Sequence, residues 1–203
     1  MAGADAVRGV CPLNESTTSA EFFEMKYRQN PDPWDFACSE YERSRYDSII
    51  GALGERQFDR AFEPGCSVGE LTWRLAQRCA RVEAMDISAT AIGRAKQRCH
   101  ELSNVELRVG GLPDQMPAGE FDLIVFSEIG YYFDEDSLHK LGKMLVHQLS
   151  PCGIFLAAHW LGRSQDHLLS GDRVHEILGA LSGLRIDQSA RHGAFRLDRW
   201  TRV

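Results

Sequence analysis

Glu63-Pro64-Gly65-Cys66-Ser67-Val68-Gly69 decides the reading of this chain. It follows an apolar pair, Ala61-Phe62, and opens a helical pattern, Glu70-Leu71-Thr72-Trp73-Arg74-Leu75. A second apolar run, Val82-Glu83-Ala84-Met85, ends in Asp86. That interval, about twenty residues, sets an acid at the tip of the next strand, where it accepts hydrogen bonds from ribose hydroxyls. Glycines in a strand-to-helix turn let the backbone approach a ligand closely. Together these features make a nucleoside-binding plan.

The turn lacks the G-x-G-x-x-G spacing of a pyrophosphate site, because Gly65 and Gly69 stand four apart. Glu63 precedes them, and a carboxylate there repels phosphate and welcomes a cation. Gly65-Cys66-Ser67-Val68-Gly69 also matches the G-x-S-x-G nucleophile elbow of hydrolases. That reading needs a downstream acid and histidine, Asp86 or Glu128 with His159. Only a helix and a proline loop precede the turn, whereas an elbow follows several strands. A nicotinamide oxidoreductase would need the missing third glycine, and a noncatalytic cofactor-binding subunit is a further alternative.

Around this turn the chain alternates strand and helix. Strands are expected at 59–63, 82–87, 105–109, 121–127 and 153–158, and helices at 69–79, 88–100, 136–148 and 172–182. Such a rhythm predicts a parallel sheet covered on both faces by helices. Leu184 to Val203 reads as two strands around Arg191-His192-Gly193-Ala194. Residues 1–20 are small and polar and read as a flexible N-terminus. Residues 21–203 read as one domain, with lid helices over 21–57 and the core over 58–203. Ser39 and Glu42 form a candidate capping box for a helix at 39–53.

A net charge of -6 argues against an extended nucleic-acid footprint. No apolar run is long enough to span a membrane, and no secretory signal is evident. Six cysteines without C-x-x-C or zinc-ligand spacing read as reduced thiols of a cytoplasmic protein. No metal is expected, since His159, His167 and His175 form no H-x-x-x-H pair. A monomer or weak homodimer is expected.

The segment E-P-G-C-S-V-G resembles the first motif of class I S-adenosylmethionine-dependent methyltransferases, with Asp86 as their acidic second motif. Phe121-Asp122-Leu123-Ile124 resembles the fourth motif, and Leu149-Ser150-Pro151-Cys152-Gly153-Ile154 the later L-x-P-G-G turn, with Cys152 for the first glycine. From Asp32 to Phe155 the chain is similar to the nodulation protein S family. The marks are Asp32-Pro33-Trp34, Tyr41-Glu42-Arg43-Ser44-Arg45-Tyr46 and Ser127-Glu128-Ile129-Gly130-Tyr131-Tyr132.

The resemblance implies a Rossmann-like α/β fold, a seven-stranded, mostly parallel sheet with an antiparallel C-terminal hairpin strand. It implies S-adenosyl-L-methionine as methyl donor, S-adenosyl-L-homocysteine as product and a small-molecule or saccharide acceptor. The family's type member methylates the free amine of a deacetylated glucosamine ending a chitin-like oligosaccharide. The cofactor would meet Glu63, Gly65, Cys66, Ser67, Gly69, Asp86, Ile87, Ser88, Gly111, Leu112, Ser127 and Glu128. Arg45 would meet its carboxylate and Trp34 would cover it. Glu128, His159 and Tyr132 are candidates for catalysis. Tyr131, Tyr132, His159 and Trp160 are candidates for holding the acceptor. Nitrogen and oxygen acceptors both remain open, an oxygen acceptor giving His159 more weight as base.

Overall fold

The computed structural model describes residues 18–203. Seven strands run β1 (Phe58–Pro64), β2 (Cys79–Asp86), β3 (Val105–Val109), β4 (Phe121–Ser127), β5 (Leu149–Trp160), β6 (Leu184–His192) and β7 (Phe195–Arg202). Their order in the sheet is β3-β2-β1-β4-β5-β7-β6, with β7 antiparallel to both neighbours. Helices are α1 (Ala20–Gln29), α2 (Glu40–Ala52), α3 (Glu70–Leu75), α4 (Ala89–Arg98), α5 (Glu135–Gln148) and α6 (Gly171–Gly179).

The strand β4 carries the pattern that layers the molecule. Leu123 and Val125 point into one core with α2, α3 and α4, while Ile124 and Phe126 point into the other with α5 and α6. All four are wholly buried, and each contributes about 1.5–3 kcal/mol by leaving water. A continuous apolar run is what a strand buried on both faces requires. The strand order reverses between β1 and β4, so a crevice opens beyond their carboxyl ends.

Several boundaries differ from expectation. The helix expected at 69–79 stops at Leu75, because Cys79 already pairs with Phe58 on β1. The turn expected at Ser150–Gly153 lies inside β5 as an irregularity. The register steps from Phe121–Leu149 to Leu123–Ile154, and Cys152 takes a left-handed φ of 60° where the family turn has glycine. Ser39 flanks α2 but makes no side-chain capping bond; Glu42 turns instead to Arg45. The flexible-terminus expectation lies, for residues 1–17, outside the described residues, while Thr18 is buried and the chain is helical from Ala20.

At the end of β1, Glu63 is buried and accepts a hydrogen bond from Thr72 Oγ1 of α3 at 2.6 Å. Burial pushes its carboxyl up to about 8, against the smaller pull of the Thr72 bond. Between the ordinary value of 4.5 and about 8, the folded protein therefore holds a proton that the unfolded chain has lost. Stability should fall as pH rises through that interval and level off above it. Buried His159 and His175, both held below their ordinary 6.5 first by burial, act in the opposite sense at lower pH. Urea unfolding from pH 6.5 to 8 should show wild type losing about 2 kcal/mol more than Glu63→Gln. Parallel curves for the two proteins would show that Glu63 is already ionised in the fold.

Candidate active site

The crevice at the strand reversal is a cleft of about 870 Å³, counted to its open mouth. Its floor is Pro64, Gly65 and Ser67. Gly65 has φ 74°, and a Cβ there would overlap Ile129 on the opposite wall. Gly69, at φ 82°, lies behind the turn, where a Cβ would sit 3.0 Å from Ala95 of α4. The first glycine therefore shapes the cleft, and the second lets α3 pack on α4.

Four amides of the turn are spent internally. The Gly65 and Cys66 N–H groups both donate to Met85 O, at 2.7 and 3.0 Å, and Gly69 N–H donates to Cys66 O at 2.9 Å. Ser67 N–H donates to Asp86 Oδ2 at 2.9 Å. An anion nest needs such amides aimed at the ligand; these four are engaged within the protein instead. Cys66 and Ser67 thus do not present free amides, contrary to the simple reading of the motif. The Ser67 hydroxyl accepts from Tyr27 Oη at 2.6 Å, a phenol in place of the imidazole that the hydrolase alternative calls for.

Asp86 is the polar feature of one end. Its carboxylate accepts from Ser67 N–H and from Ser88 N–H, each at 2.9 Å, and lines the cleft. Burial pushes it up to about 6, against those amide bonds. Two acceptor sites on its oxygens remain for a vicinal diol. Met85, Ile87, Gly111 and Leu112 build an apolar slot beside it. The Gly110 and Gly111 N–H groups go to Asp86 O and Gln115 Oε1, so the slot holds a ring by its faces. Ser88 caps α4 through Ala91 N–H and donates to Glu24 Oε2, outside the cleft.

Glu128, at the tip of β4, is the polar feature of the other end. It has φ 60°. Its carboxylate accepts from Tyr131 Oη at 2.8 Å and Trp160 N–H at 2.7 Å, and pairs with Arg45 Nη1 at 2.9 Å. Arg45 is 1% exposed, lies between Glu42 and Glu128, and is ringed by Phe36, Tyr41 and Tyr46. It acts on the cleft through Glu128 and does not line it. Tyr131, Tyr132 and Trp34 do line it.

The other expected site residues stand apart. Glu63 sits behind the turn with Thr72, and Ser127 is held in the sheet opposite Ala158. Trp160 contributes its backbone amide, not its ring. His159 is wholly buried, and both ring nitrogens are engaged, with Gly130 N–H and with His175. Among the described residues no group of three or more side chains could hold a metal, and no helix is long and apolar enough to cross a membrane.

Sequence reasoning set lid helices over 21–57 and Trp34 over the site but did not name Phe23, Tyr27 or Phe36. Phe23 and Tyr27 of α1, with Phe36, close over the cleft beside Trp34. Glu24 fastens α1 to Ser88 and Thr90 of the α4 start, and Lys26 pairs with Asp166 at 3.0 Å. The signal available was the concentration of aromatic residues, Phe22, Phe23, Tyr27, Trp34 and Phe36, in an otherwise polar stretch.

Comparison with known proteins agrees with this geometry. The sequence profile of the nodulation protein S family matches residues 20–187. Nodulation protein S of Sinorhizobium fredii strain NGR234 is 29% identical over 152 residues, 73% of this chain and 69% of that protein. A crystal structure of a candidate methyltransferase from Pseudomonas syringae is 37% identical with a TM-score of 0.72, covering 81% of this chain and all (100%) of that one. The N-methyltransferase NodS from Bradyrhizobium japonicum WM9, in complex with S-adenosyl-L-homocysteine, shares the fold with a TM-score of 0.79 at 24% identity, over 90% of this chain and 98% of that one. The chain belongs to the nodulation protein S family, within the class I S-adenosylmethionine-dependent methyltransferases.

Proposed function

We propose that this enzyme transfers the methyl group of S-adenosylmethionine to an amine nitrogen of a small molecule or amino sugar. The observation that carries the cofactor half is the pairing of Asp86 with a turn whose Gly65, Cys66, Ser67 and Gly69 amides are spent. That surface suits ribose hydroxyls and a ligand without phosphate. Asp86 holds the diol, while Ile87, Leu112 and Met85 take the faces of the base. Gly65 gives the remainder of the ligand room beneath Ile129. When bound, S-adenosylmethionine supplies a methyl group on a sulfonium that leaves as a neutral thioether. The protein's share is orientation and exclusion of water. Phe23, Trp34, Tyr131 and Tyr132 provide the exclusion by walling the cleft with rings.

Glu128 carries the nitrogen half. Two hydrogen bonds and the ion pair with Arg45 already hold its carboxylate, leaving acceptor capacity for an N–H of the incoming amine. Such a bond turns the nitrogen lone pair away from Glu128 and stabilises the positive charge that develops on nitrogen. A hydroxyl acceptor must lose its proton as it attacks, and no imidazole is among the described residues lining the cleft. This favours nitrogen over oxygen.

Binding of S-adenosylhomocysteine, followed by calorimetry, should be flat from pH 8 to about 6.5. Below about 6 it should weaken roughly tenfold per unit, as the buried Asp86 takes up a proton. Asp86→Asn should bind roughly 10–150-fold more weakly at pH 7.5 and lose that pH dependence. An unchanged affinity in the variant would remove Asp86 from the site.

A screen with isotopically labelled methyl donor over amino sugars, other amines, phenols and carboxylates should place the label on nitrogen. Glu128→Gln should then lower acceptor kcat/KM roughly 10–100-fold and leave S-adenosylhomocysteine affinity within about threefold. Label on oxygen, or an unimpaired variant, would overturn the nitrogen assignment.

A further inference from the structure

Three buried side chains that the proposed chemistry does not use form a continuous line behind the acceptor end. Gly130 N–H donates to His159 Nε2 at 3.0 Å, His159 Nδ1 lies 3.2 Å from His175 Nε2, and His175 Nδ1 lies 2.8 Å from Asp198 Oδ2. His159, His175 and Asp198 are each no more than 1% exposed. One arrangement of protons satisfies every contact with neutral rings. An amide donor at His159 Nε2 requires a bare nitrogen there, so the ring proton sits on Nδ1. That proton points at His175 Nε2, which must accept, so the His175 proton also sits on Nδ1 and donates to Asp198. Arg196 Nη2, 2.8 Å from the same Asp198 oxygen, offsets the carboxylate charge.

The line ends on the short turn Gly130–Tyr132. Tyr131 and Tyr132 line the cleft from that turn, and Tyr131 Oη holds Glu128. Asp198 lies on β7 and His175 on α6, so two distant segments converge on one backbone amide.

We infer that Asp198, His175 and His159 are positioning residues, a tautomer lock whose output is a bare, accepting His159 Nε2 that fixes the Gly130 N–H and hence the placement of Tyr131, Tyr132 and Glu128. This deepens the methyl-transfer reading and rests on it for its kinetic readout. The spectroscopic readout is independent of that reading.

In wild type, proton–nitrogen correlation spectra of the imidazoles should show both His159 and His175 protonated on Nδ1. Asp198→Leu removes the acceptor that keeps the His175 proton on Nδ1, so both tautomers can reverse and set an N–H against Gly130. Acceptor kcat/KM should fall about 10–100-fold, with S-adenosylhomocysteine affinity within about twofold of wild type, since Asp86 and its slot are untouched. His159→Gln, whose amide oxygen can still accept from Gly130, should keep most of the activity, and His159→Leu should not. Wild-type rings protonated on Nε2, or His159→Gln as inactive as His159→Leu, would overturn the lock. Loss of homocysteine-product binding in wild type itself would instead overturn the methyl-transfer reading and leave the tautomer result standing.

Discussion

The carboxylate of Asp86 is the tie on which this site depends. It spans from the end of β2 to the amide of Ser67 in the turn after β1 and to the amide of Ser88 at the start of α4. Two turns from different strands are thereby locked in one geometry, and the locking group itself faces the cleft. Carboxylates buried this deeply are costly unless hydrogen-bonded; the two amide bonds offset part of that cost. A cradle preorganised in this way needs little rearrangement to receive a ribose.

The second constraint is the buried pair of Arg45 and Glu128. It joins a helix that precedes the sheet to the tip of the central strand at which the acceptor would sit. An isolated buried guanidinium would be strongly unfavourable, so Glu42 and Glu128 flank it from both sides. The leading helices are thus part of the site and not an appendage to the Rossmann-like core. Their aromatic residues form the roof, and their polar residues fasten it to α4 and to Asp166.

Much of this was legible in the residues. The alternating pattern, the motif turn, the acid at Asp86 and the apolar run at 121–126 placed the core strands within a few residues. These features are local, and each strand or turn announces itself by period or by glycine. What was not legible depends on contacts between distant segments. The Glu63 carboxyl reads as a cation site until Thr72 is seen beside it, and Arg45 reads as a carboxylate binder until Glu128 is seen against it. His159 reads as a base at a strand tip. Its partners, Gly130, His175 and Asp198, lie on three other segments, and no spacing along the chain reveals them. The lid was read as helices over 21–57, but its contact residues Phe23 and Tyr27 were not, since a short amphipathic helix does not state what it covers.

The central claim is that the cleft above Gly65 is built for a nucleoside lacking phosphate, with its ribose on Asp86. A crystal structure of the protein grown with S-adenosylhomocysteine tests this most directly. Both ribose hydroxyls should lie within hydrogen-bonding distance of the Asp86 carboxylate, with the base between Ile87 and Leu112. A ligand bound elsewhere, or a cleft that stays empty at saturating concentration while a phosphorylated nucleotide enters it, would contradict the account.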